Sequence, residues 1–120
     1  LRFQNDVTII ESLGIGLPNQ QLEPFRMTVA PGGDNLNDPI SHHGEEFVHC
    51  LQGEIEYHVG NQQFNLSTGD SLLFDAIQPH CLKNLNQTPS EVILVFQTSQ
   101  GDLSARQRHM ETYPQNTDDE

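Results

Sequence analysis

The sequence has few cationic residues. Only 5 Lys and Arg stand against 17 Asp and Glu in 120 residues, so the formal net charge is -12 at pH 7. Such a chain repels the phosphate backbone of nucleic acids and the headgroups of anionic membranes. We therefore expect this chain to bind neither DNA, RNA nor membranes directly. The simpler interpretation is that the negative charge only keeps the protein soluble.

Long apolar runs are also absent. No stretch approaches the roughly 18 residues that a membrane-spanning helix needs. No signal peptide is visible, so we expect a cytoplasmic protein. The chain begins at Leu1 without Met, which fits a fragment of a longer protein or a chain that has lost a tag or leader.

Cysteine is scarce as well, with only Cys50 and Cys81 present. Their separation matches neither a CxxC pair nor a zinc ribbon. Cys50 lies within an apolar strand pattern, where a buried, reduced thiol is the default. A disulfide between the two remains an open alternative that nothing in the sequence supports.

Helical periodicity is missing between residues 20 and 98, where no apolar stripe at helical spacing exceeds two turns. Short alternating runs such as PFRMTVAPGG and EIEYHVGN, separated by glycine and proline turns, take its place. Strands repeating at about 8 to 12 residues predict an antiparallel sandwich or barrel. The run from Val92 to Phe96 is apolar on both faces and predicts a central strand covered on both sides.

A chain of 120 residues is long enough for one domain. We assign residues 1–21 to N-terminal edge strands and residues 22–98 to the barrel core. Residues 99–120 form a C-terminal extension with an acidic tail that we expect to be mobile. Within this extension, residues 102–110 have the pattern of one short capped helix.

Metal-binding side chains are concentrated in ISHHGEEFVHCLQGE, residues 40–54. His42 and Glu46 are four residues apart, so on an extended chain they lie on the same side. His80 follows 34 residues after Glu46. Two imidazoles and one carboxylate on neighbouring strands form a facial triad, which suits Fe, Mn, Ni or Zn. The pattern therefore predicts a metal site, provided that the strands are adjacent.

The stretches that carry these residues resemble the two motifs of the cupin family. GDNLNDPISHHGEEFVHCLQG is similar to the first motif, with His42 on the second histidine of its pair and Glu46 on its glutamate. GDSLLFDAIQPHCLKN is similar to the second, with His80 on its histidine and Asn84 on its asparagine. The resemblance implies an all-β, double-stranded β-helix (jelly-roll) cupin barrel that holds a divalent metal through the three ligands. It also implies a structural hydrogen bond at Asn84.

Position 40 departs from the family pattern. The family has the first histidine of its pair there, whereas this chain has Ile40. The four-ligand set of the family is therefore reduced to three. His43 is an alternative fourth ligand, although strand alternation turns it away from His42.

The stretch SHHGEEFVHCLQGE is most like the C-terminal sensor domains of bacterial regulators that join a helix-turn-helix to a cupin. This resemblance implies a small-molecule-binding, metal-assisted effector domain of a transcription regulator whose DNA-binding part lies outside this chain. The same layout in hydroxypropylphosphonate epoxidase implies the alternative, an Fe(II) dioxygenase or epoxidase using the triad. A metal-free cupin whose histidines bind the ligand directly is the third interpretation. Cupins usually pair through their sheets, so we expect a homodimer.

Six further residues are predicted to contact the small molecule. Arg26, one of the few cations, would clamp a carboxylate at the barrel mouth, although an exposed ion pair explains it equally well. The others are predicted to line the cavity: Met27, Val48, Cys50, Phe74 and Phe96. Ordinary core packing is the simpler role for each of these five. Glu45 and His49 are expected on the outer surface.

Overall fold

The computed structural model describes residues 2–97 and the two-residue strand 115–116. Within these residues there are ten strands: β1 (Arg2–Gln4), β2 (Thr8–Ser12), β3 (Leu22–Val29), β4 (Glu45–Gln52), β5 (Glu54–Val59), β6 (Gln62–Ser67), β7 (Ser71–Asp75), β8 (His80–Lys83), β9 (Ser90–Gln97) and β10 (Gln115–Asn116). In the part of the chain that is described, no helix is long and apolar enough to cross a lipid bilayer. The helix predicted over residues 102–110 lies outside the described residues.

The strands form two antiparallel sheets. The larger has seven strands in the order β10-β1-β2-β3-β9-β4-β7, and the smaller has three in the order β6-β5-β8. Buried side chains from both sheets belong to one hydrophobic cluster. The molecule is therefore an all-β, two-sheet structure around a single core, as predicted.

Alternation along the strands sets which side chains enter this core. In β3, Phe25, Met27 and Val29 are buried while the intervening side chains point outward. This is the face that the sequence predicted, because successive side chains of a strand point to opposite sides of the sheet.

Strand β9 is central, between β3 and β4, as predicted. Val92, Leu94 and Phe96 are buried on its inner face, but Ile93 and Val95 on its outer face are only half-buried. The expected cover on both sides is therefore incomplete. The physical reason is that the inner face packs against the smaller sheet, and no second sheet covers the outer face within the described residues.

An apolar row crosses the outer face of the larger sheet. Phe47 of β4 pairs with Leu73 of β7 on one side and with Val95 of β9 on the other, and Val95 pairs with Pro24 of β3. Leu73 is 63% exposed and Phe47 is 37% exposed. We call Leu73, Phe47, Val95 and Pro24 the outer apolar row.

Candidate metal centre

The fold brings His42, Glu46 and His80 together inside the barrel. Nε2 of His42 lies 3.0 Å from Oε1 of Glu46, and Nε2 of His80 lies 3.3 Å from the same oxygen. The three residues are 3%, 0% and 1% exposed, respectively. Strand alternation predicted the His42–Glu46 pair, whereas the arrival of His80 depends on the packing of the two sheets.

The turn before β4 positions His42 next to Glu46. Gly44 adopts a φ of 96°, a left-handed conformation that favours glycine. The backbone N–H of His42 donates to the carbonyl of Ala76 at 3.0 Å, and the N–H of Ala76 donates to the carbonyl of Gly44 at 2.9 Å. The pairing of β4 with β7 thus continues past the turn and holds the His42 backbone in place.

His80 is positioned by the segment that precedes this turn. Its backbone N–H donates to the carbonyl of Ile40 at 2.9 Å, and the N–H of Ile40 donates back to the carbonyl of His80 at 3.0 Å. The residue that replaces the family's first histidine is therefore directly opposite a proposed ligand. A side chain at position 40 adjoins the triad, and here that side chain is apolar.

Both imidazoles direct Nδ1 to a backbone carbonyl. The distances are 3.2 Å from His42 to the carbonyl of His43 and 2.9 Å from His80 to the carbonyl of Gln78. A carbonyl oxygen only accepts, so we assign the ring hydrogen to Nδ1 in both residues. In a neutral imidazole, Nε2 then presents a lone pair to the carboxylate of Glu46. Two lone pairs facing each other require a cation between them, which is either a proton or a metal ion.

The spacing of the donor atoms fits a bound metal ion. Metal–N and metal–O bonds of about 2.0–2.2 Å at right angles place neighbouring donor atoms about 3 Å apart. The observed separations from Oε1 of Glu46 are 3.0 and 3.3 Å. Three donor atoms, one from each residue, all lie within 4.8 Å of one another. The donor set suits Fe, Mn, Ni or Zn alike.

The second oxygen of Glu46 has a different partner. The hydroxyl of Tyr57, in β5 of the smaller sheet, donates to Oε2 at 3.1 Å. A fully buried carboxylate needs such donors, because burial removes its hydration. The alternation of β5 predicted that Tyr57 points inward, but it carried no signal that the hydroxyl reaches Glu46.

The environment of His80 shifts its acidity. Burial lowers the pKa of His80, but the hydrogen bond and negative charge of Glu46, together with the carbonyl of Gln78, outweigh this effect and raise the pKa above its ordinary value of 6.5. The proton therefore competes with a metal ion for Nε2 at a higher pH than at an ordinary histidine.

A cavity of about 280 Å³ adjoins the triad, with Tyr57 and His80 in its wall. Met27 contributes to the apolar part of its lining. Its polar part comes largely from one loop, which contributes Asp34, Asn35, Asn37 and Asp38. Sequence reasoning missed these loop residues. The density of Asp and Asn in GGDNLNDP was the available signal, but the same composition is typical of any turn.

The thiol of Cys81 also lines this cavity. Burial, followed by the negative charges of Asp34 and Glu56, raises the pKa of Cys81 above its ordinary value of 9.0. The group is therefore a thiol at neutral pH rather than a metal-binding thiolate. Both cysteines are free, and Cys50 is fully buried, as the sequence predicted.

The residues predicted to contact a ligand lie in different environments. Met27 lines the cavity, whereas Val48 and Cys50 are fully buried in the core. Phe74 packs against the ring of His80 with centroids 5.0 Å apart, and Phe96 packs against the ring of His42 at 5.5 Å. Their contact with a ligand stays a prediction.

Arg26 is not near the triad. It lies on the outer face of β3, with its Nε 3.5 Å from Glu11 and 3.8 Å from Glu91. This is the exposed ion pair that the sequence left as an alternative.

Three neighbouring expectations are confirmed. Asn84 is buried, and its amide donates to the carbonyls of Val29, Ala30 and Thr88. Glu45 is exposed. The half-buried His49 hydrogen-bonds to Ser71 on the neighbouring strand, away from the triad.

A family model for the cupin domain matches residues 25–96. Among solved structures, the cupin domain of an XRE-family transcriptional regulator from Enterobacter cloacae is 18% identical, with a TM-score of 0.70 over 79% of this chain and 100% of that one. An HTH_3-family transcriptional regulator from Vibrio cholerae is 19% identical, with a TM-score of 0.67 over 78% of this chain and 52% of that one. This chain thus spans about half the length of the Vibrio regulator.

A sugar phosphate isomerase of the cupin superfamily from Silicibacter pomeroyi is 21% identical, with a TM-score of 0.65 over 78% of this chain and 61% of that one. No curated protein matches the chain. At these identities the structural likeness shows the fold, which is the predicted jelly-roll barrel. The family model matches more than half of the chain, so this protein belongs to the cupin family.

Proposed function

We propose that this chain is a metal-assisted, small-molecule-binding effector domain of a bacterial transcription regulator. The observation that carries the proposal is the buried cluster of His42, Glu46 and His80 beside a cavity of about 280 Å³. A divalent ion bound there would supply a Lewis acid that holds a lone pair of the ligand. A cavity of this volume accommodates a small molecule.

The cavity and the metal ligands share part of their structure. Tyr57 and His80 both line the cavity, and both contact the carboxylate of Glu46. A molecule in the cavity therefore touches the residues that surround the ion. Ligand and metal would influence each other's binding, and a ligand that favours one geometry of the full-length protein would shift its population.

Two observations support a regulatory role. The chain is similar to cupin domains of regulators that carry a helix-turn-helix or belong to the XRE family. Its net charge of -12 makes it a poor DNA-binding surface, which fits a division of labour with a separate DNA-binding part. A regulator acts where the DNA is, so the proposal places the protein in the bacterial cytoplasm.

The second candidate is a metal-dependent enzyme of the Fe(II) dioxygenase or epoxidase type. The observation that favours it is the three-residue ligand set, because Ile40 contributes no fourth ligand and leaves positions on the ion for substrate and O2. The similarity to cupin domains of regulators makes the regulatory role the better supported of the two.

We further propose a homodimer that buries the outer apolar row. Phe47 and Leu73 expose large apolar surfaces on β4 and β7, the last two strands at one edge of the larger sheet, and a row of this kind is typical of interaction sites. A two-fold contact would place the row of one copy against the row of the other.

Metal analysis of untagged protein tests the metal site. We expect close to one ion per chain after reconstitution with Fe, Mn, Ni or Zn, and loss of binding in His80→Ala. His43→Ala is the matched control, because His43 is an exposed neighbour of the triad. Less than about 0.1 ion per wild-type chain with all four metals would refute metal binding.

The regulatory role has its own test in the full-length gene product. If this domain is an effector, adding the bound metal or a chelator changes the affinity for operator DNA. Unchanged DNA affinity, together with substrate-dependent O2 consumption by the Fe(II)-loaded protein, would favour the enzyme.

A further inference from the structure

We propose that Tyr57 is a positioning residue for the metal site, which selects the oxygen of Glu46 that faces the ion. This inference rests on the proposed metal binding and adds a residue that is not itself a ligand. A carboxylate can coordinate through either oxygen or through both. Here the hydroxyl of Tyr57 donates to Oε2 at 3.1 Å, while Oε1 faces both imidazoles at 3.0 and 3.3 Å.

The hydroxyl of Tyr57 restricts the rotation of the carboxylate. Turning Oε2 towards His42 and His80 breaks the hydrogen bond from Tyr57. This rotation therefore costs the free energy of one buried hydrogen bond to a charged group. The bond therefore favours coordination through Oε1 alone.

Tyr57 is itself held firmly enough to perform this role. It is 2% exposed and lies in β5, between β6 and β8 of the smaller sheet. Its ring packs against Phe74 with centroids 5.7 Å apart, and Phe74 in turn contacts the ring of His80. Because Glu46 lies on the larger sheet, the hydrogen bond joins the two sheets at the metal site.

Tyr57 also connects the cavity to its hydrogen bond with Glu46. Tyr57 lines the cavity, whereas Glu46 does not belong to its lining. A molecule in the cavity that competes for the Tyr57 hydroxyl would release Oε2 of Glu46. Tyr57 is thus one residue, beside His80, through which cavity occupancy would act on the carboxylate ligand.

The test compares Tyr57→Phe with the wild type, using Co(II) as the probe. The substitution removes one hydroxyl and keeps the ring packing. We expect the Co(II) dissociation constant to rise about 10-fold, the lower end of the effect of losing a hydrogen-bond partner of a ligand. The visible spectrum of the bound Co(II) should also change, because the carboxylate is free to turn. A purely structural role in the core would alter stability without changing this spectrum.

Ser90→Ala is the matched control. Its hydroxyl is fully buried in the same core, but it lies six residues along β9 from the strand partner of Glu46, roughly 20 Å away. We expect this variant to bind Co(II) with the wild-type affinity and spectrum. If Tyr57→Phe also matches the wild type in both, the positioning role is refuted while metal binding stands. If the wild type binds no Co(II), the proposed metal site itself fails.

A second measurement uses only the wild type, so that the inference can still be tested if Tyr57→Phe does not fold. Wild-type protein labelled with ¹³C at the tyrosine Cζ contains two labelled residues, Tyr57 and Tyr113. Adding Zn(II) should shift one resonance, because the hydroxyl of Tyr57 is bonded to a ligand of the ion. Metal binding with neither resonance shifted would overturn the inference.

Discussion

Replacing Glu46 by Gln tests the metal centre with the least disturbance of the fold. Glu46 is fully buried, and glutamine has nearly the same volume. Its amide oxygen can accept the bond from Tyr57, and its amide N–H groups can donate to the Nε2 lone pairs of His42 and His80. Removing one partner of a buried ion pair is destabilising when the other partner is left charged, but here both imidazoles can become neutral and accept from the amide. We therefore take the metal-dependent rise in Tm, rather than the metal-free Tm, as the readout.

The effect should appear only when metal is added. An ion present at 100 times its dissociation constant stabilises the wild type by about 2.7 kcal/mol. For a domain of this size that corresponds to a rise in Tm of roughly 10 °C. Losing a hydrogen-bond partner of a metal ligand weakens metal binding by up to roughly 100-fold. Losing the ligand itself should weaken binding at least as much. At the same metal concentration the gain then falls to about 0.4 kcal/mol, or roughly 1–2 °C.

Differential scanning fluorimetry with Zn or Mn titrations measures both quantities. Glu45→Gln is the matched control, because it is the same substitution one residue away on the exposed face of β4. It should keep the full metal-dependent rise in Tm. The reasoning is refuted if Glu46→Gln retains the wild-type rise, or if Glu45→Gln loses it as well.

Three further predictions follow from neighbouring features. Metal affinity should fall as the pH is lowered through the pKa of His80, which is raised above 6.5, because the neutral imidazole binds metal and the protonated one does not. A metal dissociation constant that is equal at pH 8 and pH 5.5 would contradict this. Ile40→His should tighten metal binding about 10-fold, because it adds a ligand opposite His80. Competition with a chelator measures the affinity, and an unchanged value would show that position 40 cannot reach the ion. Leu73→Lys should weaken self-association at least 10-fold in sedimentation, because it places a charge in the outer apolar row. The control Gln63→Lys, on the exposed side of β6, should not weaken it. Equal effects of the two substitutions would exclude this face as the dimer contact.

The strands and their inner faces could be predicted from the sequence because both depend on local patterns. The alternation of Phe25, Met27 and Val29 determines which side of β3 is buried, whatever the strand pairs with. Alternation also predicted that His42 and Glu46 share a side, but in the structure they meet through the turn at Gly44, because His42 lies before β4. For Arg26 the sequence left two roles open, a clamp for a ligand carboxylate and an exposed ion pair, and the structure places it in the ion pair.

Contacts between distant segments could not be predicted in this way. The apolar run from Val92 to Phe96 predicted that both faces of the strand are covered, yet Val95 is only half-buried, because the cover depends on whether another layer exists. The sequence of the loop with Asp34 and Asp38 is that of an ordinary turn. Its position in the cavity wall depends on how the barrel closes, which the sequence pattern does not indicate. Tyr57 likewise reads as one more inward-facing residue of β5.

The sequence by itself determined the strand faces, the metal-binding residue types and the apolar side chain at position 40. Only the tertiary structure decided that His80, 34 residues from Glu46, is bridged to Ile40 and faces Oε1, while Tyr57 from the opposite sheet holds Oε2. The physical reason is that alternation fixes the direction of a side chain relative to its own strand. The distance between two strands depends on sheet order and register, which arise from the packing of the whole barrel.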